Sequence, residues 1–142
     1  MKILLLGGLA MITVTGCGNA GNGLPRQPIA GAVTIDGKPL TSGLITFKPS
    51  DAEEPVVTAL IEEGSYKLGR DKGPIPGAHR VSIWGREKTG RQVPDPDDPN
   101  VLTEEHREII PPRYNVRSEL SREVQEGKNT FDFELNGANS AT

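Results

Sequence analysis

From Ile29 onward, apolar residues recur at every second position, and this period of two constrains the fold more than any other feature of the chain. Ile29, Gly31, Val33 and Ile35 alternate with Ala30, Ala32 and Thr34. Near the other end, Phe131, Phe133 and Leu135 alternate with Asp132 and Glu134. A strand turns successive side chains to opposite faces, so such segments predict half-buried strands with one face in a core. Similar runs occupy 43–47 (GLITF), 56–61 (VVTALI), 65–68 (SYKL), 78–84 (AHRVSIW) and 120–124 (LSREV). Turn chemistry separates them. Asp36-Gly37 and Glu63-Gly64 supply a glycine that accepts positive φ, 126–129 (EGKN) reads as a third turn, and Pro49 stops the second strand. Residues 72–77 (KGPIPG) break the chain with two prolines and two glycines. Seven short strands with turns at this spacing predict an all-β fold, a seven-stranded antiparallel β-sandwich. No helical period is long enough for a βαβ unit, and no internal repeat is visible.

Residues 85–108 break the pattern. They contain Pro94, Pro96 and Pro99 among Asp95, Asp97 and Asp98, with no apolar period. They read as a long loop, with a short helical turn opening at Thr103-Glu104-Glu105-His106, and a loop of this length is often functional. Residues 111–115 (PPRYN) are expected to be extended and irregular.

The N-terminus is organised differently. Lys2 precedes twelve apolar residues, 3–14 (ILLLGGLAMITV). That run is too short to cross about 30 Å of hydrocarbon, which takes roughly 20 residues. It fits a signal peptide over 1–16. Val14-Thr15-Gly16-Cys17 then resembles a lipobox, in which small residues admit the backbone to a peptidase and the thiol accepts a diacylglyceryl group. Cys17 is the only cysteine, so its lipidation leaves no thiol for a disulfide, a metal or a nucleophile. Residues 17–28 read as a lipid-anchored flexible tether rich in Gly and Asn, 29–135 as the domain, and 136–142 as a disordered polar tail. Gly18 following Cys17, where Asp would favour inner-membrane retention, points toward an outer-membrane or envelope location on the periplasmic or surface face.

The chain has 142 residues, with 16 basic and 19 acidic side chains. This acidic balance gives no basic footprint for nucleic acid. At 142 residues a single domain with a thin core is expected.

The domain's motifs resemble a known family. Val33-x-x-Asp36-Gly37-Lys38-Pro39-Leu40, followed by Gly43-Leu44-Ile45-Thr46-Phe47-x-Pro49, is similar to the opening of carboxypeptidase regulatory-like, or transthyretin-like, domains. Gly64-x-Tyr66-x-Leu68 and Gly77-x-x-x-Val81-x-Ile83 continue the likeness. Ile110-Pro111-x-Arg113-Tyr114-Asn115, Ser118-x-Leu120-x-x-x-Val124 and Gly127-x-Asn129-x-x-Asp132-Phe133-x-Leu135 resemble the ending of small lipoproteins of planctomycete-type bacteria. The resemblance implies a prealbumin-like sandwich and no reaction. The one enzyme in that group, hydroxyisourate hydrolase, uses a His/Arg pocket and a C-terminal Tyr-Arg-Gly-Ser, which the Asn139-Ser140-Ala141-Thr142 ending does not match.

Few side chains suggest chemistry. His79 alternates with Val81 and Ile83 and reads as a structural histidine; His106 lies in a charged run and reads as solvated. Two separated histidines make no zinc spacing. Asp95, Asp97, Asp98 and Asn100 offer oxygens for calcium but lack the central Gly and late Glu of an EF-hand. Trp84, with Tyr66 or Tyr114, is a candidate ligand surface on which a sugar would stack. Arg113, Arg117 and Arg122 with Glu119 and Glu123 suggest cross-strand ion pairs. No catalytic residue, metal or cofactor is expected. The sequence therefore reads as a non-enzymatic, membrane-anchored envelope module, whose partners are the membrane and an envelope protein or glycan. A carbohydrate-binding module is the alternative, and a small hydrolase ranks third.

Overall fold

The computed structural model describes residues 23–137. The expected signal peptide, Cys17 and the first half of the expected tether lie outside them. Ten strands form an all-β sandwich: β1 (Ile29–Ile35), β2 (Lys38–Pro39), β3 (Ser42–Pro49), β4 (Val57–Glu62), β5 (Ser65–Leu68), β6 (Gly77–Pro94), β7 (Leu102–Glu108), β8 (Ser121–Val124), β9 (Asn129–Thr130) and β10 (Phe133–Leu135). Each of the seven sequence-predicted strands has a counterpart.

The hydrogen-bonded path runs β10-β1-β5-β4-β3-β6-β7, with β8 on β6 and β2 and β9 on β1. The front layer is β4-β3-β6 and the back layer is β5-β1 with β9 and β10. The layers join at the β4–β5 hairpin, whose only ladder pair is Glu62 with Ser65. Pairing is antiparallel except at β1, whose other edge carries β9 and β10 in parallel. Glu63 and Gly64 at that hairpin, and Asp36 and Gly37 after β1, all have positive φ, as mirror-image turns require.

The alternation in sequence becomes the core. Ile45, Phe47, Ala59, Ile61, Val81 and Ile83 face inward from the front layer, and Ile29, Val33 and Tyr66 from the back. Phe47 bridges them, its ring 6.0 Å from Tyr66 and 6.4 Å from Phe131. Leu40 closes the end of the core over Gly85, where a Cβ would run into its methyl groups.

The last strand is interrupted. The 130–135 run splits into β9 and β10 around Phe131-Asp132. There the Asp132 carboxylate accepts the Ala32 N–H at 2.8 Å, replacing a ladder bond. The Phe131 carbonyl turns inward and accepts the Tyr66 hydroxyl at 2.7 Å. That carbonyl lies so close to Gly31 that a Cβ there would fall 1.8 Å from it. Gly31 therefore belongs to the close approach of β1 and the β9–β10 segment within the back layer, not to a turn.

Four expectations are corrected. First, 85–108 is not a loop, and 103–106 is not a helical turn. β6 continues to Pro94 and pairs with β7. Pairing between β6 and β3 ends at Gly85, so from Arg86 outward β6 and β7 form a two-stranded ribbon. Both faces of this ribbon are wet, so its strands lack the hydropathic alternation by which the others are recognised. Second, the stretch read as tether is part of the domain at its end. Gln27 is buried, its N–H bonds to the Pro74 carbonyl, its side chain accepts the Gly127 N–H, and Arg26 reaches the Gly73 carbonyl. Third, the expected tail starts bonded. The Gly137 N–H donates to Asp36, and Asn136 bonds to Arg113 and Tyr114. Residues 112–114 also form a short 3-10 turn where extended chain was expected.

Candidate interaction surfaces

The two histidines take separate places. His79 is 1% exposed at the bottom of the core, and its Nδ1 lies 2.9 Å from the Gly77 carbonyl. A carbonyl only accepts, so the ring proton sits on Nδ1. Nε2 is buried with no hydrogen-bond partner among the described residues. Among the described residues no nucleophile or acid hydrogen-bonds it. His106 is exposed on β7, with Nδ1 2.9 Å from the Glu104 carbonyl. No group of three or more His, Cys, Asp or Glu side chains is placed to hold a metal among the described residues. Asp95 and Asp98 instead accept backbone N–H groups of their own turn, from Asp97 and Asn100.

The candidate aromatic platform does not assemble. Tyr66 is 3% exposed in the core, a correction to its place in a ligand surface. SYKL puts Tyr66 and Leu68 on the same side of the strand, and the pull of the Phe131 carbonyl fixes the hydroxyl inside. Burial pushes the Tyr66 hydroxyl well above the ordinary tyrosine range, and the Asp132 charge adds to the effect. Tyr114 sits elsewhere, under the Arg113 guanidinium, with its hydroxyl accepting the Asn136 N–H. Its partial burial acts to raise its pKa, but the Asn136 N–H and Arg113 outweigh that and lower it.

Only Trp84 remains outside, 37% exposed on the front layer's outer face. Its cross-strand neighbour is Leu44, and beyond that Leu60, 41% and 65% exposed. The three form an apolar row across β6, β3 and β4. The next row is hydroxylic: Ser82, Thr46 and Thr58, with Thr46 and Thr58 hydrogen-bonded at 3.0 Å. This row was missed in sequence because Leu44, Leu60 and Trp84 are far apart and only the register aligns them. The expected ion pairs around Arg113, Arg117 and Arg122 are absent from the described residues. Arg113 covers Tyr114, and Arg122 lies over the Phe133 ring at 4.4 Å.

The ion pairs are in the ribbon. Lys88 pairs with Glu104, Arg91 with Glu105 and Arg107 with Glu87. Glu108 holds the ribbon's base by accepting the Gly85 and Ile110 N–H groups. The nine residues Arg86 to Pro94 carry the ribbon roughly 30 Å from the sandwich at about 3.3 Å each. It leaves at the end of the sandwich that holds Ile35 and Leu40. The chain enters at the opposite end, where Gln27 meets Pro74. A cleft of about 1010 Å³ lies between the ribbon's base and the β1–β2 turn, lined by Lys38, Arg86, Lys88 and His106 among others.

No family model and no curated protein matches the chain. Among solved structures, it is similar to a DUF3823-family protein from Parabacteroides merdae, with a TM-score of 0.42 and 13% identity. The match covers 80% of this chain and 47% of that one, so the chain spans about half the length of that structure. A likeness this loose bears on none of the residues above.

Proposed function

We propose that the protein is a non-catalytic, lipid-anchored module of the bacterial cell envelope that meets an envelope protein through the β6–β7 ribbon. The observation that carries this reading is the placement of the ribbon: it extends from the end of the sandwich opposite to the one where the chain arrives from Cys17. A domain held by a lipid on Cys17 would thus present its most extended element away from the point of attachment. At least two acyl chains are needed for stable anchoring, and lipobox processing supplies them. That no nucleophile or acid among the described residues hydrogen-bonds His79 Nε2 further supports a binding role over hydrolysis.

The test has two parts. Cys17→Ser should leave the protein unlabelled by palmitate and release it from the membrane fraction. Labelling that survives this change would sink the anchor. Photo-crosslinkers at Gln92 and Leu102, on the ribbon, should then capture an envelope protein that crosslinkers at Lys67 on the back layer do not. Equal capture from both positions would remove the ribbon's role.

A second reading has one observation in its favour. Trp84 lies open beside Ser82 and Thr46, a stacking face next to hydroxyls, which suits a glycan. It lacks the second aromatic expected of such a site. If that reading is right, Trp84→Ala abolishes retention on envelope polysaccharide while Tyr114→Phe does not; equal retention by both variants counts against it.

A further inference from the structure

Four edges of three or more residues lack a neighbouring strand among the described residues, and they are not alike; the β8 edge is four residues long and carries Arg122 and Glu123. The β7 edge carries Glu104, Glu105, His106, Arg107 and Glu108 within seven residues. The β10 edge is three residues long and has Glu134 at its centre. Charge and shortness are the usual means by which proteins stop an edge from recruiting another strand. The β4 edge has neither. After the Glu62–Ser65 pair, β5 turns away to join β1, so residues 57–61 pair with β3 on one side only. These five residues, Val57-Thr58-Ala59-Leu60-Ile61, contain no charge, no proline, no glycine and no bulge. A cleft of about 890 Å³ opens along them, with Thr58, Leu60, Tyr66 and Lys67 in its walls, so the edge stays accessible.

We infer that the β4 edge is the seam of a homodimer, in which β4 pairs antiparallel with β4 of a second copy about a two-fold axis through Ala59. A two-fold requires a surface to complement itself, and this one does. Ala59 faces the second copy's Ala59, Thr58 faces its Leu60, and Val57 faces its Ile61. Glu62 falls opposite Val56, so no like charges meet. The same operation on β7, centred on Glu105, would oppose two glutamates, which is destabilising. The inward side chains Val57, Ala59 and Ile61 stay in their own core, so the pairing asks for no repacking. It joins two front layers into one six-stranded sheet and continues the outer face from Leu60 onto the second copy's Thr58. The axis is normal to the sheet, so both back layers lie on the same side of the dimer. It also reverses the strand direction, so the two chain-entry ends lie at opposite ends of the dimer, and the pairing does not depend on the anchor.

The test uses the full chain, extracted in detergent and also as the Cys17→Ser form. Native mass spectrometry and sedimentation should find a dimer in both. Thr58 and Leu60 are exposed, so Thr58→Lys/Leu60→Lys should fold, and it should weaken association by roughly 100-fold or more by bringing four charges to the seam. A matching change on β7, His106→Lys, should leave the dimer intact. Amide exchange at residues 57–61 should slow with rising concentration of the wild type, a readout independent of any variant. A wild type that stays monomeric at about 100 μM (a Kd too weak to matter) overturns the seam. So does a dimer that survives the double lysine variant or dissolves with His106→Lys. A dimer in the Cys17→Ser form that is released from membranes upholds the seam and the anchor separately.

Discussion

β6 is one strand with two chemistries. From Gly77 to Gly85 it runs through the front layer, and His79, Val81 and Ile83 are buried. From Arg86 to Pro94 it runs through solvent, held to β7 by ladder bonds and exposed ion pairs. The strand continues through Gly85, with a register irregularity between Lys88 and Gln92 in the ribbon, and the source of order changes there. The sandwich is fixed by apolar burial between layers. The ribbon has no core, and an isolated two-stranded ribbon is marginal in water. Its register rests on Glu108 at the base and the Asp95 and Asp98 caps at the tip. The difference separates a region ordered by a core from one ordered by its ladder and its end contacts.

The comparison is broken most directly in the core. Phe47→Ala removes the ring that touches both layers and should cost about 3–5 kcal/mol, read as a drop in denaturant midpoint. The ribbon's amide exchange should be far less affected than that of β3. Gly31→Ala comes next, at about 2–3 kcal/mol. Its Cβ would collide with the Phe131 carbonyl, and backbone must move to admit it. If Gly31→Ala melts with the wild type, β1 and the β9–β10 segment are not held together at that contact.

Much of the sandwich was legible in the sequence because burial of one face writes itself as alternation. The two turns with positive φ were legible because Asp36-Gly37 and Glu63-Gly64 name the conformation they need. The ribbon was not. With both faces wet, Glu87 opposite Arg107 or Lys88 opposite His106 leaves no hydropathic trace, and three prolines at the tip disguise a turn as a loop. Gly31 was read as one more small residue in a strand, since only the Phe131-Asp132 interruption explains it. The candidate surface was half legible. Trp84 stood out as a large side chain, but its real neighbours, Leu44 and Leu60, needed the register. Tyr66 was legible as an inward residue by its spacing from Leu68, yet its aromatic character drew it into a ligand surface that it does not share.

The two tyrosines sharpen the comparison at intermediate cost. Tyr66→Phe leaves the Phe131 carbonyl without its donor and should cost about 1–2 kcal/mol. It should also change the response to alkali. The folded chain raises the Tyr66 pKa above the ordinary value of about 10, so its contribution is complete below that value and is lost as pH rises beyond it. Tyr114 has the opposite sign: its folded pKa is lowered, so ionisation favours the folded state as pH rises through that lowered value. The chain has only these two tyrosines. Tyrosinate absorbance should therefore show one early step that Tyr114→Phe removes, and a second that coincides with unfolding. Two steps in the folded protein, both near the ordinary value, would mean that Tyr66 is not enclosed.

The smallest effect is expected in the ribbon, and that smallness is itself the test. Arg107 and Glu87 are 70% and 48% exposed, and Lys88 is 67% exposed beside Glu104. Exposed pairs of this kind contribute about 0–1 kcal/mol each and are screened by salt. Glu87→Ala and Lys88→Ala should therefore leave the global melting temperature almost unchanged. They should speed amide exchange at residues 86–94 and 102–108, more at low than at high ionic strength. Because β6 passes unbroken from sandwich to ribbon, this outcome would place the boundary between two stabilities within a single strand, at Gly85. If either change lowers the global midpoint by as much as Gly31→Ala, the ribbon and the sandwich fold as one unit, and the ribbon is then no separate arm.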